Sequence, residues 1–308
     1  MRVSLLVSAL VAALSFAVPA SAATAEVPLG TFRAWEPSDG RVAWVSGGVR
    51  VQIEPAPCAR PPQTDGCRFD PQNNRPLVTI RAPGLPVYRA LGDGQSSHYR
   101  VAVVRFERGD TRPGVVIENR PGGSAGLVHE QLLLPRGHGF RQAWLSGHVR
   151  DEMPERLTDR SGDGRVDFVL GDRRFALAFG CNACTPRPPR ITTVRHGRLV
   201  DVSREPAQFP ILRRALTVSR RGCFDRGNPD RNGNCAAYVA TAAQLGYYPA
   251  AWQQMLRHYN PESIDLWQDC AVPPSEWHGE GCPAGRETHY ATFPQSLAAF
   301  LRKTGYIR

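Results

Sequence analysis

The chain has 308 residues, of which 42% are hydrophobic, and a formal net charge of +10. That apolar share supports a packed core and excludes wholesale disorder. The positive charge is carried by scattered arginines, with Lys303 the lone lysine, and no aromatic–basic interleaving accompanies it; specific nucleic-acid binding is not expected, whereas salt-sensitive attraction to anionic envelope polymers is.

Residues 1–23 read as a secretory signal peptide. Arg2 precedes an apolar run over 3–18, and Pro19-Ala-Ser-Ala22 places small residues where a signal peptidase cuts, after Ala22 or Ala23. The run is too short and too rich in Ala and Ser to serve as a span, and no later stretch is long and apolar enough to cross a bilayer. No Cys sits at the cleavage point and no twin arginine precedes it. The expectation is a monomeric periplasmic or secreted protein with no membrane span.

Residues 24–220 read as a β-rich domain. Short β-type runs at 41–45 and 49–53 flank Ser46-Gly-Gly48, a hairpin pattern. A Pro-rich excursion follows over 55–76. Further strands are expected at 77–80, 99–106, 114–118, 166–170 and 175–179, and a hairpin at 191–202 turns on His196-Gly197. The stretch 127–134 suits strand or helix. Many short strands with turn residues between them argue for propeller- or sandwich-like sheets.

Gly122-Gly-Ser-Ala-Gly126 has the form of a nucleophile elbow. A secreted serine hydrolase using Ser124, with Asp167 or Asp201 and His258 or His278 as triad partners, is the alternative function. An elbow needs strands alternating with helices; no helix precedes residue 235 in this reading, Pro121 stands directly before the first Gly, and no catalytic residue is assigned.

The sharpest local pattern is Asp159-Arg-Ser-Gly-Asp-Gly-Arg-Val-Asp167. Oxygen-bearing side chains fall at Asp159, Ser161, Asp163 and Asp167, the Arg165 carbonyl falls at the seventh place, and Gly164 allows the sharp turn. Calcium takes six to eight oxygens from such a wrapping loop. Leu170 stands where an EF-hand has its closing Glu, so this is not an EF-hand. The loop leads into an apolar strand and resembles the calcium loop of FG-GAP, or VCBS-type, β-repeats of exported bacterial proteins. The resemblance implies a fold fragment with calcium as cofactor, and no activity.

Residues 221–308 read as a small helical, disulfide-linked unit. A helix is expected over 235–245, with Asn234 as N-cap and Gly246 as its stop. A second runs from Pro249 to Tyr259, and a third is opened by a Thr292-x-x-Gln295 box and closed by Gly305. Eight cysteines fall in neighbouring couples: Cys58 with Cys67, Cys181 with Cys184, Cys223 with Cys235, and Cys270 with Cys282. Local structural disulfides are expected of an exported chain; for Cys181-Asn-Ala-Cys184 a redox pair and a zinc ligand pair are the alternatives, and Thr185-Pro-Arg-Pro-Pro189 does not suit the helix start that a redox pair normally opens. Glu276-Trp-His-Gly-Glu280, inside the last couple, is a candidate binding loop. The resulting expectation is an exported, non-enzymatic binding or structural module.

Overall fold

The computed structural model describes residues 26–56, 75–92, 98–120, 126–149, 154–276 and 281–308. The expected signal peptide, Cys58, Cys67, Ser124 and residues 277–280 lie outside them. The described chain is mainly β, with four helices toward its C-terminal end. Among these residues no helix is long and apolar enough to cross a membrane.

Two antiparallel sheets carry the β body. After β1 (Arg33–Trp35), the chain runs a four-stranded meander of β2 (Val42–Ser46), β3 (Val49–Pro55), β4 (Pro76–Arg81) and β5 (Tyr88–Leu91). Gly47 and Gly48, with φ of 53° and 78°, supply the two left-handed residues that a two-residue β2–β3 turn needs. The second sheet has eight strands. It takes β1 at one edge and continues through β6 (His98–Val104), β7 (Gly114–Arg120), β8 (Leu127–Arg136), β9 (Gly139–Val149), β10 (Phe168–Gly171), β11 (Pro189–Arg195) and β12 (Arg198–Asp201). The stretch 127–134, which suited strand or helix, is strand.

The sheets pack face to face, as in a sandwich. Val51, Ile53, Val78 and Ile80 of the small sheet share a buried cluster with Val101, Val103, Val115 and Ile117 of the large one. Alternate residues of the same strands, Ala102, Val104, Val116 and Leu132, enter a second cluster with Phe106, Phe168 and Leu170. Strand β7 is covered on both faces: Val115, Val116 and Ile117 are all buried, and so are Glu118 and Asn119 beyond them.

Three expectations need correction. Residues 175–179 are not a strand: a 3-10 turn (Arg173–Phe175) is followed by Leu177 at φ 59°, its side chain 71% exposed. Phe175 and Phe179 instead enter the helical core, edge-on to Phe300 at 4.8 and 5.2 Å between centroids. A helix also begins well before residue 220: α1 (Phe209–Phe224) crosses the expected β-to-helix boundary. Pro210 starts it in the first turn, where a missing N–H costs nothing. Finally, α2 (Arg231–Gln244) starts four residues ahead of the expected helix, so Asn234 lies buried within it rather than capping it. Two shorter helices follow, α3 (Tyr248–Leu256) and α4 (Phe293–Lys303). Thr292 Oγ1 accepts from Gln295 N–H at the head of α4, and Gly305 at φ 76° follows it. Between α3 and α4, β13 (Asp269–Cys270) pairs with β14 (Glu287–Thr288), and Cys270–Cys282 closes this excursion.

The helices are fastened to the sheet by apolar and polar contacts. Leu212 and Leu245 pack on Ile191 and Val202. Gln244 Nε2 donates to the Pro189 carbonyl at 2.8 Å, and Gln208 Nε2 donates to Asp167 at 3.0 Å, both buried. This junction positions the site described next.

Candidate functional site

A cleft of about 270 Å³ opens where β10, the segment 186–189, α1 and α2 meet. Its size sits just under the roughly 300–1,000 Å³ common for small-molecule sites. The walls are apolar: Val169 and Leu170 from β10, Pro186 and Pro189 from the extended segment, Ile211, Ala215 and Val218 from α1, and Ala237 from α2. The α1 residues recur at helical spacing and form one face. Val218 is 61% exposed, so this face is not fully covered by protein.

Arg160, Arg187 and Arg214 also line the cleft, together with the hydroxyl-bearing Ser219 and Thr241; none of the lining residues is acidic. Each arginine comes from a different element. Arg187 is buried and donates through Nη2 to the Asn182 carbonyl. The same nitrogen also donates to Asn182 Oδ1 at 3.3 Å. Arg214 projects from α1. Arg160 belongs to the 159–167 loop, whose geometry fixes its backbone.

That loop is closed on itself. Asp159 Oδ1 accepts from the N–H groups of Gly162 (2.7 Å) and Asp163 (3.1 Å), and Oδ2 accepts from Gly164 (2.7 Å). Gly162 and Gly164, at φ 80° and 88°, let the backbone wrap around that carboxylate. Asp167 is buried. Its Oδ2 accepts from Arg160 and Ser161, each at 2.8 Å, and its Oδ1 takes the Gln208 amide just ahead of α1. Asp163 accepts from the Arg165 N–H, and its other oxygen faces the Arg165 and Arg195 guanidiniums at 3.5 and 3.9 Å. Ser161 Oγ points back to Asp159 at 3.4 Å.

Among the described residues the one group of three His, Cys, Asp or Glu donors within 4.8 Å of one another is Cys181, Cys184 and Asp230. The three loop carboxylates do not converge in this way, and amides and guanidiniums already occupy them.

Among the described residues considered for a hydrolase, Asp167, Asp201 and His258 each have other partners. Asp201 binds Arg190 at 2.7 Å and Ser203 Oγ at 2.6 Å. His258 stacks on Phe224 at 3.9 Å between centroids and bonds the Gln254 carbonyl. Asp167 is the loop anchor just described. Glu276 is exposed in a 3-10 turn.

Away from the cleft lining, a polar post joins the residue after β10 to the segment after α4. The Tyr306 hydroxyl donates to the buried Asp172 carboxylate at 3.0 Å, and Arg174 Nε donates to both Asp172 oxygens, at 2.9 and 3.0 Å. Burial opposes ionisation of Asp172, but the hydrogen bonds and charge of Arg174, with the Tyr306 hydroxyl, outweigh it and hold the carboxyl below its usual range. Burial, then the adjacent Asp172 charge, pushes Tyr306 well above its ordinary value.

No sequence motif marks the cleft. Its lining comes mainly from β10, the 159–167 loop, the segment 186–189, α1 and α2, and its one sequence signal is the mixed apolar and arginine spacing of 211–218.

Residues 212–305, which supply most of the helical wall, match the family model for the sll0997 C-terminal domain. The chain is 26% identical over 238 residues to the "Probable thylakoid lumen protein sll0997" of Synechocystis sp., covering 75% of this chain and 68% of that protein. It is 23% identical over 292 residues to the "Uncharacterized protein y4bJ" of Sinorhizobium fredii, covering 89% of this chain but only 43% of that longer one. No solved structure matches the chain.

Proposed function

We propose that this is an exported, non-enzymatic binding module whose cleft takes a small anion with an apolar body, such as a medium-chain carboxylate. The observation that carries the reading is that Arg160, Arg187 and Arg214 line one mainly apolar cleft with no acidic residue in its lining. A charged head gains most from guanidinium donors where apolar walls thin the water around it. Export is supported by disulfides at Cys223–Cys235 and Cys270–Cys282, and by the lumenal name of the sll0997 relative. Attraction of anionic envelope polymers to the net charge of +10 remains part of the same proposal.

The test is calorimetric titration with decanoate and with decanol. Decanoate binds with one-to-one stoichiometry, weakens as salt rises, and loses at least about tenfold in affinity in Arg214→Glu, the equivalent of roughly 1.4 kcal/mol. Equal binding of decanol, or wild-type affinity in the variant, defeats the proposal.

For the FG-GAP-like loop we propose the role of a clip that needs no cation. Guanidinium groups stand where a metal would neutralise the carboxylates, and the product of the clip is a fixed position for Arg160 and for the start of α1.

A further inference from the structure

We propose that the Cys181–Cys184 bridge is a reversible thiol–disulfide exchange site, with Asp230 moving its proton. Its surroundings differ from those of a structural staple. Both cysteines are exposed, whereas Cys223–Cys235 is wholly buried between α1 and α2. A disulfide can be exchanged only if a thiolate can reach a sulfur atom. The bridge also encloses a short segment, so it restrains the unfolded chain less than the two bridges that span 12 residues each.

The local geometry suits the chemistry. The Thr185 N–H donates to the Cys181 carbonyl at 3.3 Å, making a single helical turn, and the Cys184 N–H donates to Cys181 Sγ at 3.0 Å. An amide aimed at that sulfur stabilises a thiolate there, which makes Cys181 the better leaving group. The Asp230 carboxylate and both sulfurs lie within 4.8 Å of one another. Bare backbone permits this approach: a Cβ on Gly233 would meet Thr185 Oγ1 and Cγ2 at 2.7 Å, and one on Gly180 would meet Thr185 Oγ1 at 2.9 Å. The Asp230 backbone is held in turn, its N–H donating to Asn228 Oδ1 and its carbonyl accepting from Asn234.

The exchange balances as follows. A thiolate of a substrate dithiol attacks Cys184 Sγ, the Cys181–Cys184 bond breaks, and Cys181 leaves as a thiolate, stabilised by the Cys184 N–H, that Asp230 protonates with a proton from solvent. The second substrate thiolate then attacks the substrate sulfur of the mixed disulfide and releases Cys184. Two electrons pass from the substrate dithiol to the protein, and a more oxidising disulfide takes them on. This inference does not depend on the cleft reading.

The experiment equilibrates the folded protein in graded glutathione buffers, traps thiols by alkylation, and reads each cysteine by peptide mass spectrometry, with circular dichroism alongside. Cys181 and Cys184 become reduced in buffers that leave Cys223–Cys235 oxidised, and the helical signal is unchanged. Asp230→Asn, whose side chain caps no helix amide, slows exchange by at least about tenfold at an unchanged melting temperature. Asp230→Ser does the same. Reduction of all bridges together, reduction only with loss of the helical signal, or wild-type exchange rates in both Asp230 variants would overturn the proposal.

Discussion

At the scale of single residues, two carboxylates carry most of the testable chemistry. Asp172 is held below its ordinary range in the folded protein, so its contribution is complete above about pH 4, where the unfolded carboxyl is ionised. It is lost as acid takes the pH down through the lower folded value. Tyr306 has the opposite limb: raised in the fold, it stabilises below about pH 10 and ceases to do so as the pH climbs toward its folded value. Thermal melts across pH should show Asp172→Asn losing on the order of 2 kcal/mol at neutral pH with a flattened acid limb, and Tyr306→Phe losing alkaline sensitivity. Unchanged limbs in both variants would remove the post from the stability account. Asp159 makes a different prediction. Asp159→Ala orphans the amides of Gly162, Asp163 and Gly164 and costs about 1–2 kcal/mol. The same loss is expected in calcium and in chelator, and a calcium-dependent melting shift of the parent protein would restore the metal reading.

At the scale of elements, some local signals match the fold and others, such as Asn234 as a helix cap, do not. The 41–53 hairpin announces itself through two adjacent glycines, and α4 through its Thr292 box, because both signals lie within a few residues of the backbone they shape. Helix α1 was missed because its apolar residues mix with arginines and its start follows Pro206 and Pro210, so the stretch looked like more turn-rich β chain. The strand expected at 175–179 failed for a tertiary reason: Phe175 and Phe179 meet Phe300, a contact over 120 residues away that no local period reveals. The α1–α2 contact is close enough to be tested directly. A Cβ on Gly222 would overlap Oδ1 and Cγ of Asn234, whose Nδ2 is tied to the Asp230 carbonyl at 2.9 Å. Gly222→Ala should therefore destabilise by about 1–3 kcal/mol, although alanine is the better helix former by about 1 kcal/mol. A more stable variant in chemical denaturation would show that the two helices can separate.

At the scale of the whole molecule, the net charge of +10 and the scattered arginines were legible from the start, but not that Arg160, Arg187 and Arg214 line one cleft. They share its lining only once Asp167 has joined the loop to Gln208 and α1 has docked on β11. The cleft is thus a product of assembly, and no motif could have carried it. The loop 159–167 was legible as a tight carboxylate turn, while its self-closure by amides and guanidiniums depends on Arg108 and Arg195, which lie outside it in sequence. The most direct measurement is a methyl NMR titration of the folded protein with octanoate. The account predicts saturable shifts concentrated on Val169, Leu170, Ile211, Val218 and Ala237, weakened by salt and absent in Arg214→Glu. Shifts spread over the surface, or centred on a face remote from these methyls, would contradict it.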